Sequence, residues 1–150
     1  MERLRGSAET TIDEKGRFKV PAVFRQPIEE TYGADFFVTS VTGHDVLVYP
    51  MPVWSGIEER LAKAPAVLPA KRKFLERVNT FGQVAKMDAQ GRLLIPSLLR
   101  ETSGIAGDGL VLGQTDFLKL VDRAKHLESL RATAMSDEDY DELSRHLANA

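Results

Sequence analysis

Cysteine is absent from all 150 residues, so neither a disulfide framework nor a thiolate metal site is available to this chain. Tryptophan occurs once, and no apolar run approaches the length that crosses a bilayer. The first residues carry Glu2, Arg3 and Arg5 with no apolar stretch behind them, which predicts neither a signal peptide nor a membrane anchor, and a cytoplasmic protein. Neither sign of charge dominates: 20 basic residues face 22 acidic ones, for a net charge of −2. Catalytic signatures are missing as well. There is no Gly-x-Ser-x-Gly, no P-loop and no Gly-x-Gly-x-x-Gly. His44, His126 and His146 fall in a predicted loop and two different helices, without ligand spacing between them. The acids Asp137, Glu138, Asp139, Asp141 and Glu142 splay around a predicted helix and read as its solvated face. These observations predict no enzyme, no cofactor, no metal and no small-molecule ligand.

What the chain does contain is a duplication. DEKGRFKVPAVFR (13–25) returns as DAQGRLLIPSLLR (88–100), with Asp, Gly, Arg, Pro and the final Arg identical and equally spaced. Phe18/Leu93, Val20/Ile95, Val23/Leu98 and Phe24/Leu99 stay apolar, as core positions of a repeated unit would. Two halves of such length are marginal alone, so they are expected to share a core or to bury surface in an oligomer.

The near-neutral total hides a segregation of charge. Residues 1–25 are net +2 and 71–100 net +5, whereas 26–70 are net −4 and 101–150 net −5. The stretches bearing the repeat are thus the basic ones. Brought together, they would form a positive patch on an acidic body, and such a patch attracts polyanions.

Each half reads as strand, turn, strand, short helix, strand, strand, helix. In the first half, residues 6–12 lead into the turn Asp13-Glu14-Lys15-Gly16, and Arg17 to Val20 alternates polar and apolar. Pro21 then opens a short helix that Pro27 interrupts. Strands at 36–41 and 46–49 follow, then a helix over 52–64 with Trp54, Ile57 and Leu61 on one face. The second half places strands at 84–87 and 92–95 around Asp88-Ala89-Gln90-Gly91. A helix from Pro96 ends near Gly104, a glycine-rich loop runs from Gly104 towards Gly113, and strands cover 110–112 and 117–121. A helix over 122–132 carries Leu127 and Leu130 on one face. The predicted organisation is a first unit at 1–64, a basic connecting helix at 65–80, a second unit at 81–132 and an acidic helix at 133–150. In that last helix Ser136 and Asp139 are spaced as a capping box.

Turn chemistry accounts for Asp13, Gly16, Asp88 and Gly91: aspartate bonds the backbone two residues on, and glycine takes the left-handed conformation. It does not require Arg17 and Arg92, which fall just past each tip on the solvent side. A planar, permanently charged fork suits phosphate or guanine, and a salt bridge to the motif's own aspartate explains it as well.

The doubled motif, with Leu4-Arg5-Gly6 before it, resembles the MraZ family of bacterial transcriptional regulators, over roughly residues 1–132. The resemblance implies an α+β, mainly β fold: two tandem AbrB-like (SpoVT-AbrB) swapped-hairpin units forming an intrachain pseudo-dimeric barrel flanked by helices. It implies a homo-oligomeric closed ring that binds double-stranded DNA at direct repeats in the promoter of the division and cell-wall gene cluster. By the same resemblance Arg17 and Arg92 contact DNA, and Arg3, Arg5 and Lys15 line that surface. The chain departs from the family pattern at Lys19, Val23, Leu98 and Ala89, and Gln90 stands opposite Lys15, so the second turn has fewer cations. The expected function is a DNA-binding regulator, a repressor, associated with the nucleoid. The alternatives are a self-assembling scaffold without DNA binding and an AbrB-type antitoxin that holds a toxin through its last helix.

Overall fold

The computed structural model describes residues 3–148. The ends predicted at residues 1–2 and 149–150 lie outside the described residues.

Eight strands form one antiparallel sheet that curls into a nearly closed barrel: β1 (Ser7–Ile12), β2 (Arg17–Lys19), β3 (Asp35–Thr39), β4 (Val46–Pro50), β5 (Gln83–Lys86), β6 (Arg92–Leu94), β7 (Gly107–Gly113) and β8 (Leu118–Asp122). Their order is β5-β3-β4-β8-β7-β1-β2-β6. The two outermost strands, β5 and β6, are consecutive in the chain, and their turn, in which Asp88 N–H donates to Arg92 C=O at 3.0 Å, brings the two edges of the sheet near each other.

The halves interleave. β1 of the first half pairs along its whole length with β7 of the second, and β5 of the second pairs with β3 of the first. At one edge of the sheet β2 lies antiparallel to β6, with Phe18 opposite Leu93, Arg17 opposite Leu94 and Lys19 opposite Arg92. Phe18 and Leu93 are the equivalent residues of the two repeats, so a local twofold axis passes between them. Reciprocal bonds keep that symmetry: Val20 N–H donates to Gly91 C=O at 2.8 Å and Ile95 N–H to Gly16 C=O at 2.9 Å.

Alternation along the strands sorts two cores. Phe36 and Val38 of β3 point into the barrel with Phe18, Leu93, Val46, Val48, Leu118 and Leu120. Phe37, between them, points outward and stacks on Trp54 with ring centroids 4.7 Å apart. Trp54 belongs to α2 (Met51–Ala62), and with Val78 of α3 (Pro69–Phe81) it completes a second, smaller core. Tyr49 stacks on Phe117 at 4.5 Å on the same outer side.

Several expectations are corrected. The first short helix does not stop at Pro27: α1 runs Ala22–Tyr32 with Pro27 inside it. The carbonyl that Pro27 cannot serve belongs to Val23, which is solvent-exposed, so water can take the lost bond while Phe24 and Ile28 hold the helix on the core. α4 is Ser97–Ser103, ending near Gly104 as predicted, and Gly104 adopts the left-handed conformation. Val23 and Leu98 are not core residues; both face solvent on the first turns of α1 and α4. Strand β7 begins at Gly107, inside the stretch read as a loop. Gly109 suits a crowded strand: a Cβ there would come within 2.9 Å of Leu120. Finally, α5 (Arg123–Ala132) and α6 (Asp137–Ala148) bury no residue, so Leu127 and Leu130 do not form a core face.

Candidate nucleic-acid interface

The two turns are built by the same hydrogen bonds. Asp13 Oδ1 accepts from Lys15 N–H at 3.0 Å and Arg17 N–H at 2.9 Å; Asp88 Oδ1 accepts from Gln90 N–H and Arg92 N–H, both at 2.9 Å. Gly16 and Gly91 adopt φ of 83° and 79°, where any side chain would be strained. The backbone N–H of Arg17 is the main reason the Asp13 carboxyl is held below its ordinary value, and that of Arg92 does the same for Asp88.

Each motif arginine also uses its side chain within the turn. Arg17 Nε donates to Asp13 Oδ2, and Arg92 Nε to Asp88 Oδ2, both at 2.9 Å. The salt bridge and the outward display are therefore compatible. Engaging Nε fixes the guanidinium plane, and among the described residues no hydrogen bond takes up the terminal nitrogens of these partly exposed side chains, which are left for an acceptor outside the chain. Because β2 and β6 are hydrogen-bonded neighbours, the pleat places Arg17, Lys19, Arg92 and Leu94 together on the outer face of one ribbon, with Phe18 and Leu93 buried behind them. Lys15 is exposed at the tip of the first turn; Ala89 and Gln90 occupy the second.

Arg3 and Arg5 are not brought to that ribbon within the chain. They flank buried Leu4, whose backbone exchanges hydrogen bonds with Thr115 at 2.8 and 2.9 Å. Asp13 and Arg5 stand at opposite ends of β1, about 25 Å apart at roughly 3.3 Å per residue. Arg3 lies instead near the phenol of Tyr32. Burial and Asp116 raise the pKa of that phenol, and Arg3 partly opposes them.

Two features of the ribbon and its turns are not legible in the sequence alone. Lys19 was visible only as a departure from a family pattern, yet it shares a face with both motif arginines. Arg25 and Arg100, identical in both copies, received no role. Arg25 donates from Nη2 to Ala89 C=O at 2.9 Å, and from Nε to Glu29 at 2.9 Å. Arg100 lies over Gly16, where a Cβ would overlap its guanidinium. Each short helix thus braces the turn of the other half. Their signal was identity at two copies of a position that neither turn nor core explains.

Among the described residues no cluster of His, Cys, Asp or Glu could hold a metal ion, and no helix is long and apolar enough to cross a membrane.

A family model described as "MraZ protein, putative antitoxin-like" matches residues 4–77. The chain is 43% identical over 136 residues to the "Transcriptional regulator MraZ" of Acidobacterium capsulatum, covering 91% of this chain and 93% of that protein. It is 42% identical to the protein of the same name from Koribacter versatilis, covering 94% and 97%. The Nitrosomonas europaea protein of that name is 34% identical over 91% and 93%.

Proposed function

This chain belongs to the MraZ family of transcriptional regulators, and from that premise we propose that it binds double-stranded DNA sequence-specifically through the β2–β6 ribbon. The observation that carries the reading is the pair of Nε-tethered arginines, Arg17 and Arg92, on one outer face beside Lys19. A guanidinium held by its own aspartate is pre-oriented, so little side-chain freedom is lost when its terminal nitrogens meet a phosphate or the O6/N7 edge of guanine. Lys15 and Lys19 position the backbone of the duplex, and one or both motif arginines read bases.

One subunit offers few cations and binds weakly. Copies assembled in a closed ring engage spaced direct repeats together, and tethering raises affinity by factors on the order of a hundred or more. In this assembly Arg3 and Arg5 serve DNA only where a neighbouring copy carries them to the same duplex. Occupying promoter repeats of the division and cell-wall gene cluster represses it and makes the protein nucleoid-associated.

The competing reading is an assembly without DNA affinity, favoured by a second turn in which Ala89 and Gln90 replace charged residues. Equilibrium binding to the DNA upstream of the protein's own gene, beside an unrelated duplex, separates the two across a salt series. Tight, sequence-preferring affinity that falls steeply with salt supports the regulator. Equal and feeble binding to both duplexes supports the scaffold.

A further inference from the structure

The described C-terminal segment is a well-formed helix with nothing to rest on. Ser136 and Asp139 close a reciprocal capping box at α6, with Ser136 N–H donating to Asp139 Oδ2 and Asp139 N–H to Ser136 Oγ, both at 3.0 Å. Its acids fill the first turn and Arg145 and His146 the last, as the helix dipole favours. Yet every residue from 137 to 148 is exposed. Tyr140, Leu143 and Leu147 recur at helical spacing and form an apolar stripe that faces solvent. A helix of 12 residues is marginal in water unless such a face is packed.

A surface of matching character lies on α3. The approach to that helix exposes Val67 and Leu68. A shallow groove of about 750 Å³ runs on from Pro69 past Leu75, rimmed by Arg72, Lys73, Glu76 and Asn79. α3 carries Lys71, Arg72, Lys73 and Arg77 against the single acid Glu76, whereas α6 carries five acids against Arg145. α6 thus carries an apolar stripe on an acidic helix and α3 an apolar strip on a basic one, so the two elements are of opposite sign. The β2–β6 ribbon also offers cations, but it exposes only Leu94 as a large apolar residue, so it matches the charge of α6 without matching the stripe.

From this we infer that α6 docks on the α3 groove of a second copy of the same chain, its stripe against Val67, Leu68 and Leu75 and its acids against Arg72 and Lys73. Because α6 buries no residue against the described part of its own chain, the contact runs from one copy to the next. Such a contact joins two unlike surfaces: exchanged both ways between two copies it closes as a pair, and passed from one copy to the next it closes into a ring or grows into a filament. The inference rests on the oligomeric reading above and names the surfaces that join its subunits.

The test is the mass of the full chain in solution, by light scattering after gel filtration. Helix content by circular dichroism is followed in parallel. Asp141→Lys/Glu142→Lys spares the capping box and reverses the charge on α6, and Arg72→Glu/Lys73→Glu reverses it on α3. Each variant is expected to fall from the assembled mass towards that of one chain, and the two reversals combined in one chain are expected to restore the assembly. An assembled protein whose mass is indifferent to the α6 reversal overturns the inference and leaves the ring standing. Loss in both variants without rescue in the combination also overturns it, since the two surfaces would then not meet. A parent protein that is a single chain removes the ring and this contact together.

Discussion

Arg25 reaches from α1 into the other half of the chain and lies against Gly91, close enough that a Cβ there would sit 2.9 Å from its Nη1. Its Nη2 holds the carbonyl of Ala89, 64 positions away in sequence. Arg25→Ala is expected to lower stability by about 1 kcal/mol, the usual net worth of such a bond. In urea denaturation the effect should exceed that of the neighbouring exposed substitution Gln26→Ala.

Gly16 presents the mirror case, with Arg100 over it and φ at 83°. Gly16→Ala meets both a left-handed backbone, at about 1–2 kcal/mol, and the displaced guanidinium. Adding Arg100→Ala removes the collision and keeps the backbone strain, so the double variant is expected to recover part of the loss. Full recovery would mean that the backbone conformation costs nothing here.

Acid should loosen both turns together. The folded-state pKa values of Asp13 and Asp88 lie below the ordinary 3.8, chiefly because the backbone N–H groups of Arg17 and Arg92 bond the carboxylates. A depressed pKa contributes stability that is fully present above 3.8 and is lost as pH falls through the folded value. Asp13→Asn/Asp88→Asn is therefore expected to be less stable than the parent at neutral pH, and the gap should narrow below pH 3.8. Chemical denaturation at a series of pH values reads this directly.

The two hairpins should differ in their salt response. Lys15 and Lys19 of the first stand where the second has Gln90 and Leu94. Lys15→Gln/Lys19→Leu makes the first hairpin resemble the second. Each lost phosphate contact is expected to reduce the slope of log affinity against log salt by about 0.9. Gln90→Ala, which removes no charge, should leave that slope unchanged.

The barrel was legible wherever a local rule applied. Asp13, Gly16 and their repeats fixed both turns, α4 ended near Gly104, and Ser136 with Asp139 capped α6 as spaced. Three kinds of information were not local. The pairing of β1 with β7 and of β5 with β3 joins residues far apart in sequence, and no periodicity within one strand encodes its partner. Pro27 was read as a helix breaker because burial of Phe24 and Ile28 on either side of it is a tertiary fact. Arg17 and Arg92 were each visible, but their sharing of one face with Lys19 follows from the register of β2 on β6.

The proposed DNA binding rests on that shared face. Fluorescence anisotropy of the upstream duplex should be compared for the parent protein and for Arg17→Ala/Arg92→Ala, with circular dichroism confirming that the variant is folded. Loss of about 1–3 kcal/mol for each base-reading contact removed, with the preference over an unrelated duplex abolished, is the predicted result. A folded double variant that binds the duplex as tightly and as selectively as the parent would contradict it.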